Sequence, residues 1–412
     1  MEIWVYVAII IVGFIVLEAI FRYLIFKVNR VFQWLILQKD EYPKLPLKEL
    51  EKFFEHGYDQ ELGWVRKPNT EHNEIGKNSR VTKWTTNSNA SRANPDFDDM
   101  HSEISCYGDS FTFCRQVNDN ETWEHYLSKS LNTNIQNFGV GNYGIDQSLL
   151  YLKKNFQKNK TNIIILAVVP DTISRIVSVW KHYYEYGNTF GFKPRFFLQK
   201  NNLILNKNPI NSQEKFSNYE KYLEEIRNSD FFYKNKFRKE KISFPYSITV
   251  FRNAKRNFRI IYWVLKIQNL KKKGIDTKDI DWNPMKIIME INLKWRLRLF
   301  KDSETTKLLK EIIQEFSDFA KTNESKPVFA FLPQKDDLIF IKKNHNFFQN
   351  FLNELNSIKD LHIIDFTNIL VKDPNLDELF SDNNEYGGHY SKYGNEVIAS
   401  IFEEELKNKK II

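Results

Sequence analysis

The sequence predicts a three-layer α/β/α fold with a five-stranded parallel sheet, an N-terminal transmembrane helix and a large helical insertion. Three observations lead to this prediction. Short apolar runs alternate with segments of helical periodicity, an uninterrupted apolar run begins at residue 3, and the alternation breaks between about residues 176 and 300. Of the 412 residues 42% are hydrophobic, and there are only 14 Gly and 12 Pro, which excludes a disordered chain or one built from small turn-rich repeats.

The first element, residues 1–30, has the composition of a membrane anchor. Residues 3–17 are apolar or aromatic apart from Gly13, and the run resumes after Glu18 through Phe26. Such a helix is long enough to cross about 30 Å of hydrocarbon. Because no positively charged segment precedes the run and no small-residue cleavage site follows it, the sequence favours an uncleaved single-pass anchor over a signal peptide.

The side of the membrane on which the rest of the chain lies is left open. Arg22, Lys27 and Arg30 follow the span, and the positive-inside rule applied to them places the chain in the cytoplasm. That orientation conflicts with the family resemblance described below. Residues 31–102 are expected to form an irregular juxtamembrane extension with turns around short strands.

Five strands are predicted in the remainder of the chain, residues 103–412. The first three alternate with helical patterns, as βα units of a parallel sheet do, and the alternation resumes after the insertion. Open parallel sheets bind ligands at the carboxyl edge of their strands. Ser110, a glycine cluster, Asp171 and His389 follow predicted strands, which lie at residues 104–107, 135–138, 163–169, 328–332 and 362–364.

The insertion, residues 176–300, is aromatic and basic. The segment 234–273 contains many Lys and Arg residues but only one acidic residue, Glu240. The whole chain, by contrast, has 60 basic and 52 acidic residues and a net charge of +8. A solvated face, a membrane surface and an anionic glycan all remain compatible with this composition. No nucleic-acid motif accompanies it, so we expect no nucleic-acid partner, and the oligomeric state is not assigned.

Two motifs resemble blocks of a known family. The segment 108–112, GDSFT, is similar to the first block of the SGNH (GDSL) hydrolases, and 388–391, GHYS, is similar to the fifth block. The segment 137–147, NFGVGNYGIDQ, resembles the second block of long, membrane-anchored members. The resemblance implies an SGNH/flavodoxin-like domain over residues 103–412, Ser110 as nucleophile, His389 as base, and neither a metal nor an organic cofactor.

The chemistry of these residue types agrees with those roles. A serine needs an imidazole within about 3 Å to accept its proton, and backbone N–H groups at the turn can hold the developing oxyanion. An unperturbed histidine has a pKa of about 6.5, so the rate is expected to fall below that pH. Cys106 and Cys114 lack the spacing of a zinc site, and no structural metal is expected.

The chain departs from the family pattern at two places. Asn142, after Gly141, stands where the family has an oxyanion-hole glycine, and the third strand is not followed by the family's asparagine. Asn142 is therefore expected to supply its backbone N–H, its side-chain amide, or both. Tyr386 replaces the family's aspartate, so either Glu385 or Asp382 orients the histidine, or the site works as a Ser–His dyad.

Arg175 is the remaining candidate, and it has two interpretations. It follows Asp171 at i,i+4 spacing and can pair with it on a helix face, or it can contact an anionic substrate. The predicted activity is hydrolysis of a small O-acyl ester through an acyl-serine intermediate, and the analogy to the family suggests an O-acetyl group on a glycan. The alternatives are a glycan O-acetyltransferase on the same scaffold and a catalytically silent binding or scaffold protein.

Overall fold

A computed structural model describes residues 2–30, 33–75, 80–381 and 388–412 of the chain. The strands of these residues are β1 (Tyr58–Asp59), β2 (Gly63–Trp64), β3 (Glu71–Ile75), β4 (Val81–Thr85), β5 (Ser102–Gly108), β6 (Asn134–Gly139), β7 (Ile163–Val168), β8 (Arg195–Gln199), β9 (Asn202–Asn206), β10 (Lys326–Phe331) and β11 (His362–Asp365). Five of them form one sheet in the order β11–β10–β7–β5–β6, and every pairing in it is parallel. The other six strands form three antiparallel pairs, β1–β2, β3–β4 and β8–β9.

Helices cover both faces of the sheet, which confirms the predicted three-layer fold. All six residues of β7 are buried, as a central parallel strand covered on both faces requires. The α-helices of the described residues are α1 (Glu2–Asn29), α2 (Leu47–His56), α3 (Trp123–Leu131), α4 (Ile145–Asn155), α5 (Thr172–Arg175), α6 (Lys181–Tyr184), α7 (Gln213–Ser217), α8 (Leu223–Ser229), α9 (Arg238–Glu240), α10 (Tyr246–Arg252), α11 (Ala254–Lys272), α12 (Asn283–Leu299), α13 (Ser303–Thr322), α14 (Lys335–Lys343), α15 (Gln349–Leu355), α16 (Thr367–Leu370) and α17 (Lys392–Asn408).

Alternate residues of β7 belong to different cores. Ile163 and Ile165 lie in an apolar cluster with residues of α3 and α17, whereas Ile164 and Leu166 lie in a second cluster with residues of α4 and α13. This division follows from the two-residue period of a strand, which points successive side chains to opposite faces. The continuous apolar run in the sequence thus reflects burial on both faces.

The segment before the sheet packs against the α/β domain. Arg92 is almost fully buried, and its guanidinium pairs with Asp119 at 3.0 Å and donates to the carbonyls of Cys114 and Val117 at 2.6 Å. These contacts fix the loop that follows β5. The hairpins of this segment are therefore positioned to line the carboxyl edge of the sheet.

The insertion packs against the second half of α1. Phe21, Ile25 and Val28 of α1 are buried in an apolar cluster with Val250 of α10 and Ile260 of α11. The first half of α1, from Ile3 to Leu17, is exposed and apolar. Among the described helices, α1 is the one long and apolar enough to cross a membrane.

Candidate active site

Ser110 lies in a tight turn directly after β5, and the neighbouring Asp109 fixes that turn. The Asp109 carboxylate is fully buried and accepts hydrogen bonds from the backbone N–H groups of Phe111 and Val169, both at 2.9 Å. One bond closes the turn on itself, and the other ties it to the end of β7. Ser110 is thereby held at the carboxyl edge of the sheet, with 8% of its surface exposed.

Two glycines allow the turn to pack so closely against its neighbours. A Cβ atom on Gly108 would lie 1.9 Å from the carbonyl oxygen of Ala167, and one on Gly139 would lie 2.3 Å from the backbone nitrogen of Phe113. Real Cβ atoms do not approach other atoms so closely. The glycines of the first and second motifs are therefore required by backbone packing around Ser110.

His389 is attached to the same turn as Ser110. Its backbone N–H donates to the side-chain oxygen of Gln116 at 2.8 Å, and its ring packs on Phe111 with centroids 4.8 Å apart. The described residues contain no hydrogen bond between the Ser110 hydroxyl and the His389 ring, but both residues line one cavity. Hydrogen bonds between catalytic groups often tighten only when substrate is bound.

The environment of His389 keeps its imidazole neutral. Burial lowers the pKa of His389 to about 3, and the nearby cations Arg115 and Arg175 act in the same direction. Its Nδ1 atom is buried and has no hydrogen-bond partner among the described residues. Glu385 and Asp382, the two candidate orienting acids, lie outside the described residues.

The cavity that Ser110 and His389 share has a volume of about 460 Å³. Gly141 and Asn142 also line it, so the structure brings together four of the residues that the sequence singled out. Most of the remaining lining comes from the segment before the sheet, from Lys181 at the start of α6 and from the loop after α6. These residues include Glu49, Phe53, His56, Gly57, Trp64, Val65, Arg66, Lys181 and residues 187–191.

Asn142 adopts a backbone conformation that favours glycine or asparagine. Its φ is +68°, and its side chain is exposed without a hydrogen-bond partner in the described part of the chain. The preceding loop is held in place because the indole N–H of Trp64 donates to the carbonyl of Gly141 at 2.9 Å. The Asn142 amide is therefore free to interact with a bound ligand.

Arg175 has partners inside the protein. Its guanidinium lies 3.2 Å from Asp109 and 3.5 Å from Asp171, and it donates to the carbonyl of Tyr143 at 2.8 Å. The residue is buried and is not part of the cavity lining. These contacts tie the Ser110 turn to the second motif, and a substrate contact by Arg175 stays a prediction without support from this geometry.

Arg66 is a cavity residue that sequence reasoning missed. Its guanidinium lies over the rings of Trp84 and Phe113, at 4.5 and 4.3 Å from their centroids. Burial and repulsion by Arg115 and Arg92 lower the pKa of Arg66 to about 10, so the group remains charged at neutral pH. No periodicity or motif marks this position, because the contact joins hairpins distant in sequence.

The other two cations of the cavity form ion pairs, whereas Arg66 forms none among the described residues and feels the Glu74 carboxylate only at longer range. Arg115 pairs with Glu74, and Lys181 pairs with Glu185 at 2.6 Å. Aromatic rings hold Arg66 in place instead, and its Nε atom is buried without a hydrogen bond. Its charge is therefore available to an anionic group that enters the cavity.

No family model matches the chain, and no curated protein matches it. Solved structures similar to it include a putative lipolytic protein of the G-D-S-L family from Desulfitobacterium hafniense DCB-2 (12% identity, TM-score 0.35, covering 74% of this chain and 98% of that one). A lipase/acylhydrolase from Enterococcus faecalis is also similar (11% identity, TM-score 0.34, covering 75% of this chain and 97% of that one). So is a member of the lipolytic protein G-D-S-L family from Veillonella parvula DSM 2008 (11% identity, TM-score 0.31, covering 74% of this chain and 97% of that one). Two of these three descriptions name the G-D-S-L family that the sequence motifs resemble.

Proposed function

We propose that the protein is a membrane-anchored serine esterase that hydrolyses a small O-acyl ester through an acyl-serine intermediate. The observation that carries this proposal is the placement of Ser110, His389 and Asn142 on one cavity at the carboxyl edge of a parallel sheet. A hydroxyl, a neutral imidazole and free amide donors are the groups that acyl transfer requires.

The reaction follows from these groups. The neutral imidazole of His389 accepts the proton of the Ser110 hydroxyl as Oγ attacks the ester carbonyl carbon, and Asn142 donates to the negatively charged oxygen that forms. The imidazolium then protonates the leaving alkoxide, so the C–O bond breaks and the acyl group stays on Ser110. Water, deprotonated by the same imidazole, attacks the carbonyl carbon of the acyl-serine. The C–Oγ bond then breaks, the imidazolium returns its proton to Ser110 Oγ, and the acid is released.

We propose that the substrate is small at the acyl end and anionic elsewhere, and the anionic part rests on Arg66. Arg66 forms no ion pair among the described residues and lies beside the Gly141 loop, with Nη2 only 3.6 Å from where a Gly141 Cβ would lie. A carboxylate, sulfate or phosphate near the ester would take up that charge. For the acyl group we favour acetyl carried on a glycan, which is supported by the resemblance of the motifs to those of long anchored proteins.

The proposal is tested by hydrolysis of 4-nitrophenyl acetate with the full-length protein in detergent. We expect Ser110→Ala to lower the rate by about 1,000-fold or more, because it removes the nucleophile. Ser400→Ala, which removes an exposed hydroxyl from α17, should leave the rate unchanged. Equal rates for the wild type and Ser110→Ala would contradict the assignment and favour a silent binding domain.

The same assay separates hydrolysis from transfer. Acid quenching during turnover should trap one acetyl group on the wild-type protein, and mass spectrometry of its peptides should place that group on Ser110. Added alcohols then compete with water for the acyl-enzyme. A dominant acetylated-alcohol product at low alcohol concentration would favour the acetyltransferase alternative.

A further inference from the structure

The part of α1 that is exposed on all sides is shorter than a membrane, and beyond it Ile20, Tyr23 and Phe26 are exposed on one face only. Residues 3–17 span about 22 Å at the 1.5 Å rise of a helix, whereas the hydrocarbon layer is about 30 Å thick. The next turns of α1, from Glu18 to Tyr23, must supply the difference. At that level α1 is already packed against the insertion, so the insertion lies at the depth of the bilayer surface.

Contacts between α1 and the insertion fix this relationship. The Glu18 carboxylate is buried and accepts hydrogen bonds from the backbone N–H groups of Tyr246 and Ser247, at 2.5 and 2.8 Å, where α10 begins. The ring of Phe21 packs on that of Phe251, with centroids 5.6 Å apart. A charge on α1 is thus satisfied by a helix N-terminus, and α10 lies directly beside the span.

The insertion exposes large apolar side chains on the elements that pack against α1. Phe244 is 68% exposed, Ile248 57%, Phe251 56% and Tyr262 54%. Within the described residues nothing covers them. Apolar residues concentrated in this way on α10, on α11 and on the loop before α10 indicate a surface that is covered in use.

A basic cavity of about 620 Å³ adjoins this apolar surface, and Phe251 and Arg252 lie on its rim. Glu240 and Glu290 pair with four of its cations. Four others have no carboxylate partner in the described part of the chain: Lys239, Arg252, Lys255 and Arg298. A second group of cations, Arg22, Lys27, Arg30 and Lys39, lines a cavity beside the end of α1.

We propose that the insertion is a membrane-surface platform that binds an anionic phospholipid. Phe244, Ile248 and Phe251 enter the edge of the hydrocarbon beside α1, and the basic cavity holds the phosphate of a headgroup. A bilayer is the occupant that supplies apolar chains and anionic groups side by side at this distance from a membrane helix. The inference rests on the proposed anchoring by α1 and is independent of the esterase chemistry.

The depth of the platform is measured with full-length protein in nanodiscs. Single cysteines at Ile10, Ile248 and Ile75 carry an environment-sensitive fluorophore, while Cys106 and Cys114 are buried and stay unlabelled. We expect lipids brominated on their acyl chains to quench the probes at 10 and 248, and to leave the probe at 75 unquenched. Ile75 is 76% exposed and serves as the matched apolar control.

Each outcome of this measurement decides between the two proposals. Quenching at residue 10 without quenching at residue 248 would overturn the platform and leave the anchor standing. No quenching at residue 10 would overturn the anchor, and the platform with it. Equal quenching at 75 and 248 would overturn the assignment of the insertion as the membrane-facing surface.

Headgroup selectivity is measured by native mass spectrometry of the full-length protein released from mixed micelles of phosphatidylglycerol and phosphatidylcholine. The wild type should retain phosphatidylglycerol, and the Arg252→Gln/Lys255→Gln variant should lose about tenfold or more of that preference. The Lys271→Gln/Lys272→Gln variant removes the same amount of charge at the far end of α11 and should retain the wild-type preference for phosphatidylglycerol. Equal retention by both double variants would overturn the headgroup site.

Discussion

His389 packs against Phe111, the residue next to Ser110 in sequence, with ring centroids 4.8 Å apart and planes inclined by 38°. The backbone N–H of His389 donates a hydrogen bond to the side-chain oxygen of Gln116, which lies a few residues after Ser110 in the sequence. The loop that presents the serine therefore also positions the histidine. This arrangement holds the proposed base in place through packing and a backbone hydrogen bond, without a carboxylate among the described residues.

The first prediction concerns the pH dependence of kcat/KM for an aryl acetate. Burial and two arginines favour the neutral imidazole and lower the pKa of His389 to about 3, and the base is active only when neutral. We therefore expect a rate that stays flat from about pH 7.5 down to about pH 5, where an ordinary histidine would already have lost activity. This expectation replaces the value of about 6.5 that the sequence alone suggests.

The result that would contradict this prediction is a fall in kcat/KM centred near pH 6.5 with the fold intact by circular dichroism. Such a profile would indicate a carboxylate at Nδ1 of His389. Glu385→Gln and Asp382→Asn would then identify it, because only the variant that removes this carboxylate should lower the pH at which the rate falls. In either case His389→Gln should remove most of the activity.

The second prediction concerns Asn142, whose side-chain amide has no partner among the described residues. If that amide donates to the oxyanion, Asn142→Gly should lower kcat by about 100-fold or more. Glycine adopts a φ of +68° at least as easily as asparagine, so the melting temperature should not fall. An unchanged kcat would limit Asn142 to its backbone N–H.

The third prediction concerns Arg66 and the charge of the substrate. Arg66→Met should raise KM for 4-acetoxybenzoate by about tenfold or more, because a charge-assisted hydrogen bond is lost. KM for the neutral 4-acetoxybenzamide should stay the same. Arg80→Met, which removes an exposed arginine paired with Glu121, is the matched control. A comparable fall in kcat for both substrates would instead place Arg66 at the oxyanion.

The fourth prediction concerns the backbone packing beneath Ser110. Gly108→Ala should destabilise the fold by about 3 kcal/mol or more, because its Cβ would overlap the carbonyl of Ala167 in the neighbouring strand. Gly57→Ala, where the nearest atom lies 3.7 Å away, should change stability little. Thermal melting in detergent measures both, and a Gly108→Ala protein as stable as the wild type would contradict the described packing.

The sequence predicts the sheet well because its strands follow simple physical rules. The apolar run at residues 163–169 is uninterrupted because β7 is buried on both faces, and the alternation of strands and helices implies parallel pairing. The position of Ser110 follows from the same alternation, since it comes directly after β5, whereas α16 lies between β11 and His389, and the 388–391 motif is what marks that histidine. Local sequence patterns are sufficient to predict an element when its conformation depends on residues that are close to it in the sequence.

The sequence does not predict the walls of the cavity, because they depend on contacts between distant segments. Trp64 and Arg66 come from a hairpin region that reads as irregular, yet they contact Gly141 and Phe113. The helix pattern of α1 likewise gives no sign that Glu18 is satisfied by Tyr246 and Ser247. Such contacts join residues separated by about 50 to more than 200 positions, for which one sequence carries no pattern.

The central claim is that Ser110 is an activated nucleophile, and reaction with a fluorophosphonate tests it most directly. Incubation of the full-length protein, followed by intact mass measurement and peptide mapping, should show one adduct per chain, located on Ser110. The adduct should be absent from Ser110→Ala and form much more slowly in His389→Gln, because the imidazole removes the hydroxyl proton. A folded wild-type protein that stays unmodified, or one modified at another residue, would contradict the claim.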